Sequence, residues 1–147
     1  MRKEFEGKTA LVTGGSRGIG HAICLDLGKS GARVAVNYTS NSIAAEETVE
    51  TIRRKGGEAF SVQADVSSSQ EVKSMIAQVE EVLGTVDLLV TSAGIVRREN
   101  HETLSYEVWK EIMETLIYYH IDYLMSELGH MLLIKRIGWK TRTIGFT

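Results

Sequence analysis

A glycine-rich segment, residues 9–20 (TALVTGGSRGIG), constrains the fold of this chain more than any other feature. It opens with an apolar run, Ala10-Leu11-Val12, which is typical of a buried strand. Glycines then interrupt the run, and apolar residues at helical spacing follow them. A strand, a glycine turn and a helix in that order provide the context that a nucleotide-phosphate site requires.

Three glycines of this turn have distinct expected roles. Gly14 allows the chain to turn sharply off the strand, and Gly18 lets the backbone approach a pyrophosphate because no Cβ stands in the way. Gly20 allows the helix to pack close to the sheet. The free N–H groups at the start of the helix then face the anion, and the helix dipole favours its negative charge.

The rest of residues 1–100 alternates between strand and helix patterns. Each helix pattern ends at a glycine, and Ser68 with Glu71 is predicted to cap the third helix. This alternation predicts an α/β fold with a doubly wound parallel sheet in the order 3-2-1-4-5. The ligand crevice is expected at the carboxyl ends of the first and fourth strands, where the strand order reverses. The predicted strands are 8–13, 33–38, 59–64 and 86–91, and the predicted helices are 18–29, 42–55 and a segment that ends at Leu83.

The pattern changes after residue 100. Apolar residues at helical spacing predict one long helix, or two, over residues 104–136, and residues 142–147 could form a short fifth strand. A chain of 147 residues suits one domain with one real core, so we expect residues 1–147 to form a single domain.

Composition excludes several function classes. The net charge of −2 gives no indication of nucleic-acid binding. No apolar run approaches the ~20 residues that span a bilayer, and no signal peptide is visible, so we expect a cytoplasmic protein. The single cysteine, Cys24, cannot form an internal disulfide, and we expect it to be a small buried apolar residue on the first helix.

The turn TGGSRGIG resembles the TGxxxGxG cofactor turn of the classical short-chain dehydrogenases/reductases. The resemblance extends from about residue 8 to about residue 109, and it is closest to the 3-ketoacyl-(acyl-carrier-protein) reductase branch. It implies a Rossmann-like domain that binds a dinucleotide cofactor and a small carbonyl substrate. It also implies contacts with the cofactor from four segments. These are Gly14, Ser16, Arg17, Gly18, Ile19 and Gly20; Asn37, Tyr38, Thr39 and Ser40; Ala64, Asp65 and Val66; and Ser92, Ala93 and Gly94.

Cofactor choice depends on the end of the second strand. An acidic residue there would bind the ribose 2′-hydroxyl of NAD, but the chain has Asn37-Tyr38-Thr39-Ser40 and no carboxylate. Arg17 lies where NADP-preferring members of the family carry a basic residue. Its guanidinium and the hydroxyls of Thr39 and Ser40 suit a 2′-phosphate, so we expect NADP in preference to NAD.

Two other cofactor segments carry a family motif. The family places an Asp-Val pair beside the adenine ring, which implies that Asp65 accepts a hydrogen bond from the adenine amino group. The motif Asn-Ala-Gly is present with Ser92 in place of the asparagine. Serine retains a hydroxyl, but it lacks the amide that would tie neighbouring strands together.

The catalytic residues of the family have no counterparts in this sequence. The resemblance places a proton-relay asparagine at Leu116, and the catalytic serine, tyrosine and lysine beyond Thr147. The spacing of Tyr106 and Lys110 matches the Tyr-x-x-x-Lys motif, but it lies before the long helix and is interpreted as chance. We therefore expect the cofactor-binding half of a reductase, truncated before its acid–base residues.

No metal site is predicted, because the spacing of His101, His120 and His130 suits no ligand set. Three functions remain open. The chain could be an NADPH-dependent oxidoreductase, or a fragment of one, that reduces a ketone or a 3-ketoacyl thioester. It could be a non-catalytic NADP-binding module. It could also be an association fragment, in which the long apolar helix forms a homo-oligomer.

Overall fold

The computed structural model describes residues 3–94, 104–113, 132–135 and 142–144. Strands and helices alternate along the first part of the chain, as the sequence pattern predicts. The elements are β1 (Thr9–Thr13), α1 (Gly18–Lys29), β2 (Arg33–Tyr38), α2 (Ser42–Arg54), β3 (Glu58–Gln63), α3 (Ser69–Leu83), β4 (Leu88–Thr91), α4 (Tyr106–Met113), β5 (Leu132–Lys135) and β6 (Arg142–Ile144).

The strands form one sheet in the order β3-β2-β1-β4-β5-β6. The first five strands pair in parallel, with Leu11 beside Ala35 on one side of β1 and beside Leu89 on the other. The predicted doubly wound order 3-2-1-4 is therefore confirmed. The order reverses between β1 and β4, so a crevice opens at the carboxyl ends of these two strands.

The far edge of the sheet differs from the prediction. Residues 132–135, which were predicted to lie in a helix, form β5. The strand expected as the fifth over residues 142–147 is instead the sixth, β6, and it runs antiparallel to β5. Short apolar runs such as Leu132-Leu133-Ile134 fit both helical and strand patterns, and pairing with β4 decides between them here. The prediction of a helix over residues 114–131 lies outside the described residues.

The sheet has a hydrophobic core on each face. Because successive strand residues point to opposite faces, Leu11 packs in the cluster that contains Met75 of α3, whereas Val12 packs on the α1 and α2 side with Cys24 and Val49. The prediction that Cys24 is buried is confirmed, since its side chain is fully shielded from solvent. No described helix is long and apolar enough to cross a membrane.

Helix ends in the structure follow local sequence signals. The Asn41 side chain caps α2 by accepting the N–H of Ala44 at 3.0 Å, and Ser68 caps α3 by accepting the N–H of Glu71 at 3.3 Å. Gly31 follows α1 with φ of 94°, a conformation that glycine adopts without strain. The Asn41 and Ser68 caps set where two strand-to-helix loops end on the crevice side of the sheet, whereas Gly31 lies at the opposite side.

Candidate functional site

A cavity of about 540 Å³ lies at the carboxyl ends of the parallel strands, within the size range of small-molecule sites. It brings together every residue that the sequence assigned to a cofactor except Asn37 and Ala64. Its lining consists of Gly14, Ser16, Arg17, Gly18, Ile19, Gly20, Tyr38, Thr39, Ser40, Asn41, Asp65, Val66, Ser67, Ser92, Ala93, Gly94 and Glu111.

At two positions of the glycine turn, a side chain would collide with backbone atoms. A Cβ on Gly14, whose φ is 63°, would lie 2.7 Å from Cα of Ala93, and a Cβ on Gly20 would lie 2.1 Å from the carbonyl oxygen of Gly14. Gly18 differs, because its φ of 57° needs glycine whereas the space beside it is open. The turn therefore packs tightly against β4 and α1 and leaves its Gly18 edge open to the cavity.

The start of α1 presents hydrogen-bond donors to this cavity. The N–H groups of Gly18, Ile19 and Gly20 donate to no acceptor in the part of the chain that the structure describes. The first N–H groups of any helix lack intrahelical partners, and they carry the positive end of the helix dipole. An anion in the cavity would satisfy them.

One positively charged side chain and several hydroxyl groups are among the residues that line the cavity. Arg17 is exposed at the N-cap of α1 and makes no ion pair with any residue that the structure describes. Thr39 and Ser40, also exposed, follow β2 on the same cavity wall. Donors of this kind match a phosphate group better than a bare ribose hydroxyl.

Asn37 lies behind the cavity wall, although its position at the end of β2 had suggested contact with a cofactor. It is only 1% exposed. Its Oδ1 accepts the N–H of Gly14 at 3.2 Å, and its Nδ2 donates to the carbonyls of Ala64 at 3.1 Å and Val62 at 3.4 Å. The side chain thus holds the glycine turn against the end of β3. Ala64 is fully buried and also lies outside the lining.

Asp65 lines the cavity in an orientation set by its neighbours. Its Oδ1 accepts hydrogen bonds from the N–H of Ser67 at 2.8 Å and from the Ser67 hydroxyl at 2.6 Å. The backbone N–H of Asp65 donates to the Glu71 carboxylate at 2.7 Å. One carboxylate oxygen is thereby fixed, and Oδ2 has no partner among the described residues.

The end of β4 is joined to the end of β1 by a side chain. The Thr13 hydroxyl accepts the N–H groups of Ser92 and Ala93 at 3.2 and 3.3 Å. This contact holds the Ser92-Ala93-Gly94 backbone beside the glycine turn, so small residues there leave the cavity open. Serine in place of asparagine at position 92 is compatible with this arrangement.

Three lining residues were not anticipated from the sequence. Asn41 could have been found from its helix-capping signal, and Ser67 from its place two residues after Asp65. Glu111 is far along the chain and reaches the cavity only because α4 is placed there by tertiary structure.

The Tyr106–Lys110 pair lies on α4, and neither side chain lines the cavity. Tyr106 is 68% exposed and stacks on Trp109 with ring centroids 6.0 Å apart, which agrees with the interpretation of aromatic packing at a helix start. Leu116, His101, His120 and His130 lie outside the described residues. Within the described segments, no group of three or more metal-ligating side chains is present.

A second cavity, of about 470 Å³, lies at the amino ends of the strands, beside Gly7, Arg33 and Glu58. It lacks the two features that distinguish the first cavity, namely the helix-start N–H groups and the carboxyl ends of the parallel strands. Ligands of open parallel sheets bind at the carboxyl ends of strands. The first cavity is therefore the candidate site.

Comparison with known proteins gives a consistent result. The family model described as short chain dehydrogenase matches residues 8–135. The short-chain dehydrogenase/reductase homolog YusS of Bacillus subtilis is 53% identical over 90 residues, which are 61% of this chain and 83% of that protein. The 3-oxoacyl-[acyl-carrier-protein] reductase FabG of Staphylococcus epidermidis is 44% identical over 108 residues, which are 74% of this chain and 44% of that protein.

The fold is also found in solved structures. A short-chain dehydrogenase from Burkholderia cenocepacia, in complex with NADP, superposes with a TM-score of 0.77 at 32% identity. The match covers 88% of this chain and 55% of that one. The chain thus spans about half the length of that structure and under half of the staphylococcal reductase.

Proposed function

Because the chain belongs to the short-chain dehydrogenase family, we propose that its cavity binds NADP(H) through the glycine turn and the start of α1. The observation that carries this proposal is the set of N–H groups at Gly18, Ile19 and Gly20, which have no acceptor within the described residues and line the cavity. A dinucleotide diphosphate is the anion that this arrangement suits.

The residues present fit the cofactor. The Gly18 edge of the turn is open, so a diphosphate could approach the backbone without meeting a side chain. Oδ2 of Asp65 has no partner among the residues that the structure describes, so it could accept a hydrogen bond from an adenine amino group. Ser92, Ala93 and Gly94 are small and would lie against a ribose.

NADP is proposed in preference to NAD. The guanidinium of Arg17, which makes no ion pair within the described residues, and the hydroxyls of Thr39 and Ser40 would bind a 2′-phosphate. No carboxylate follows β2 on this wall to bind a free ribose 2′-hydroxyl or to repel the phosphate. Support comes also from the related Burkholderia structure, which was solved in complex with NADP.

The reaction proposed for the protein is the reduction of a ketone or a 3-ketoacyl thioester. Similarity to a 3-oxoacyl-[acyl-carrier-protein] reductase supports this substrate class. When bound, the nicotinamide ring supplies the hydride, and the residues of this chain bind and orient the cofactor. No lysine lines the described cavity, so a Tyr-x-x-x-Lys pair like that of the family is not among its lining residues.

That composition of the lining favours a second candidate function, a dinucleotide-binding module without catalysis. The two functions differ in turnover, not in binding. Both are proposed for residues 1–147 as a single cofactor-binding domain.

Titration tests the cofactor site, and a turnover assay then distinguishes the two functions. NADPH and NADH are added to the chain while its melting temperature is followed, and 2′,5′-ADP is compared with 5′-ADP to isolate the 2′-phosphate. We expect NADPH to raise the melting temperature more than NADH does, and 2′,5′-ADP to raise it more than 5′-ADP does. No shift at saturating NADPH would refute the proposed cofactor site. Oxidation of NADPH by an acetoacetyl thioester would then support the reductase, and binding without oxidation the non-catalytic module.

Self-association is proposed through the segment that begins with α4. Leu104, Tyr106 and Trp109 are 40%, 68% and 46% exposed. An apolar surface of this kind is usually covered by a partner, and a second copy of the chain is the proposed one. Sedimentation velocity at micromolar concentration tests this, since a strictly monomeric profile would contradict it.

A further inference from the structure

A buried hydroxyl behind the glycine turn connects α2 to the candidate site. Thr48 lies in the middle of α2 and is fully shielded from solvent. Its Oγ1 lies 2.8 Å from Nδ1 of His21 on α1, 3.0 Å from the carbonyl oxygen of Ala44 and 3.4 Å from the carbonyl oxygen of Ser16. Three elements, α1, α2 and the turn, therefore meet at one oxygen atom.

Thr48 differs in this respect from the other threonine on the same helix. Thr51 donates to the carbonyl of Glu47 at 2.7 Å, the usual contact of a threonine hydroxyl with the preceding helical turn. Thr48 makes the same contact with Ala44 and adds His21 and Ser16. Thr51 thus provides a matched control for the loss of the common contact alone.

The three contacts of Thr48 constrain its single proton. A hydroxyl donates one hydrogen bond, and a carbonyl oxygen can accept a hydrogen bond but has no proton to donate. If Nδ1 of His21 carries its proton, it donates to Oγ1, and the hydroxyl proton remains available to the carbonyls. A bare Nδ1 would take that proton instead. We therefore infer the Nδ1-protonated form of His21, because only this form leaves the hydroxyl proton for a carbonyl.

The Ser16 and Ala44 carbonyls differ in the hydrogen-bond donors that are available to them. The carbonyl of Ala44 is inside α2, where the N–H four residues later is its backbone donor. The Ser16 carbonyl lies farther from Oγ1, at 3.4 Å against 3.0 Å for Ala44, but the Thr48 hydroxyl is its one donor among the described residues. Because a trans peptide is planar, a carbonyl held toward α2 turns the following N–H, that of Arg17, away from α2.

We propose that Thr48, oriented by His21, is a positioning residue that fixes the Ser16–Arg17 peptide and so orients the anion-binding start of α1. This inference rests on the proposed function, because the N–H groups so oriented are those proposed to bind a dinucleotide. The same α2 begins beside Ser40 and Asn41 on the cavity wall. By joining α2 to the turn, Thr48 also fixes the position of that cavity wall relative to the turn.

The test compares Thr48→Val with Thr51→Val and with Thr48→Ser. Valine has the shape of threonine without the hydroxyl, and serine retains the hydroxyl. We expect Thr48→Val to raise the Kd for NADPH about three- to tenfold relative to Thr51→Val, as the loss of one hydrogen bond would do. Thr48→Ser should stay within about twofold of wild type. Equal affinities of the two valine variants would overturn the proposal.

A second readout needs no cofactor. In the ligand-free protein, the amide resonance of Arg17 should shift in Thr48→Val and not in Thr51→Val, and the His21 ring nitrogens should report protonated Nδ1. An unmoved Arg17 resonance would overturn the positioning role. If wild type fails to bind NADPH, the proposed function fails, and this ligand-free comparison still decides the inference. If Thr48→Val does not fold, His21→Ala, with Thr48 intact, should produce the same Arg17 shift.

Discussion

Oδ1 of Asn37 accepts the backbone N–H of Gly14, 23 positions earlier in the chain, at 3.2 Å. The other end of the same amide donates to the Ala64 carbonyl at 3.1 Å. One buried side chain thereby ties the glycine turn, β2 and the end of β3 together. An amide is suited to this position because it is both donor and acceptor.

Asn37→Asp should destabilise the fold. A carboxylate can still accept the Gly14 N–H, but its second oxygen would face the Ala64 carbonyl, and burial of an unpaired charge is costly. We expect a loss on the order of 3 kcal/mol in the free energy of unfolding, measured with urea. Asn41→Asp is the control. It keeps an accepting cap at an exposed position and should change stability by less than about 0.5 kcal/mol.

Asn37 also illustrates what the sequence could not indicate. The strand order β3-β2-β1-β4 and the residues of the turn were predictable, because strand patterns and glycine turns can be recognised from neighbouring residues in the sequence. Asn37 was assigned to the cofactor from its position alone, since the partners of a buried amide are set by tertiary structure. The same is true of Glu111, which α4 carries to the cavity, and of β5, whose apolar run becomes a strand by pairing with β4.

Arg17→Ala should reduce selectivity for the 2′-phosphate. We expect the Kd for NADPH to rise about tenfold, while the Kd for NADH changes little, because only NADPH carries the phosphate that a guanidinium would bind. Lys29→Ala removes a cation at the opposite end of α1 and should change neither the Kd for NADPH nor the Kd for NADH. Isothermal titration calorimetry measures both constants. An equal rise in Kd for the two cofactors would indicate that Arg17 does not contact the 2′-phosphate.

Gly20→Ala should be far more harmful than alanine at a glycine with free space. Its Cβ would lie 2.1 Å from the Gly14 carbonyl oxygen, so the turn would have to move. We expect a loss of about 3 kcal/mol or more in unfolding free energy. Gly7 has a φ of 78°, and a Cβ there would meet nothing within 4 Å. Gly7→Ala should therefore lower the free energy of unfolding by only about 1 kcal/mol, because of backbone strain. Similar losses at the two sites would contradict the tight packing of the turn.

Asp87 should contribute to stability at neutral pH and lose that contribution in acid. Partial burial raises the pKa of its carboxyl, but the Thr9 N–H and the Lys8 ammonium, both at 2.9 Å, together lower the pKa below its ordinary value of 3.8. With a depressed folded-state pKa, the contribution is present above about pH 4 and is lost as pH falls through the folded pKa. Asp87→Asn should therefore show a smaller drop in stability between pH 6 and pH 3 than wild type. The control Glu47→Gln, at an exposed position, should show the same drop in stability between pH 6 and pH 3 as wild type.

Cys24 should resist alkylation in the folded protein. Burial raises the pKa of its thiol to about 12, and the side chain is inaccessible, so little thiolate is present and reagents cannot reach it. Iodoacetamide at pH 8 should label the protein only after unfolding in urea. Asp26→Cys, at an exposed position on the same helix, should be labelled at once under native conditions. Rapid labelling of wild type would mean that α1 opens readily.

The five residues of β1 are all buried, and β2 and β4 pair with it on both sides. No local opening can expose this strand without separating both neighbours, so its amides should exchange with deuterium only through complete unfolding. Their exchange rates would report the global free energy of the molecule directly. Deuterium exchange in β1, the strand that leads into the turn, would then measure how each substitution near the turn changes the global free energy of unfolding.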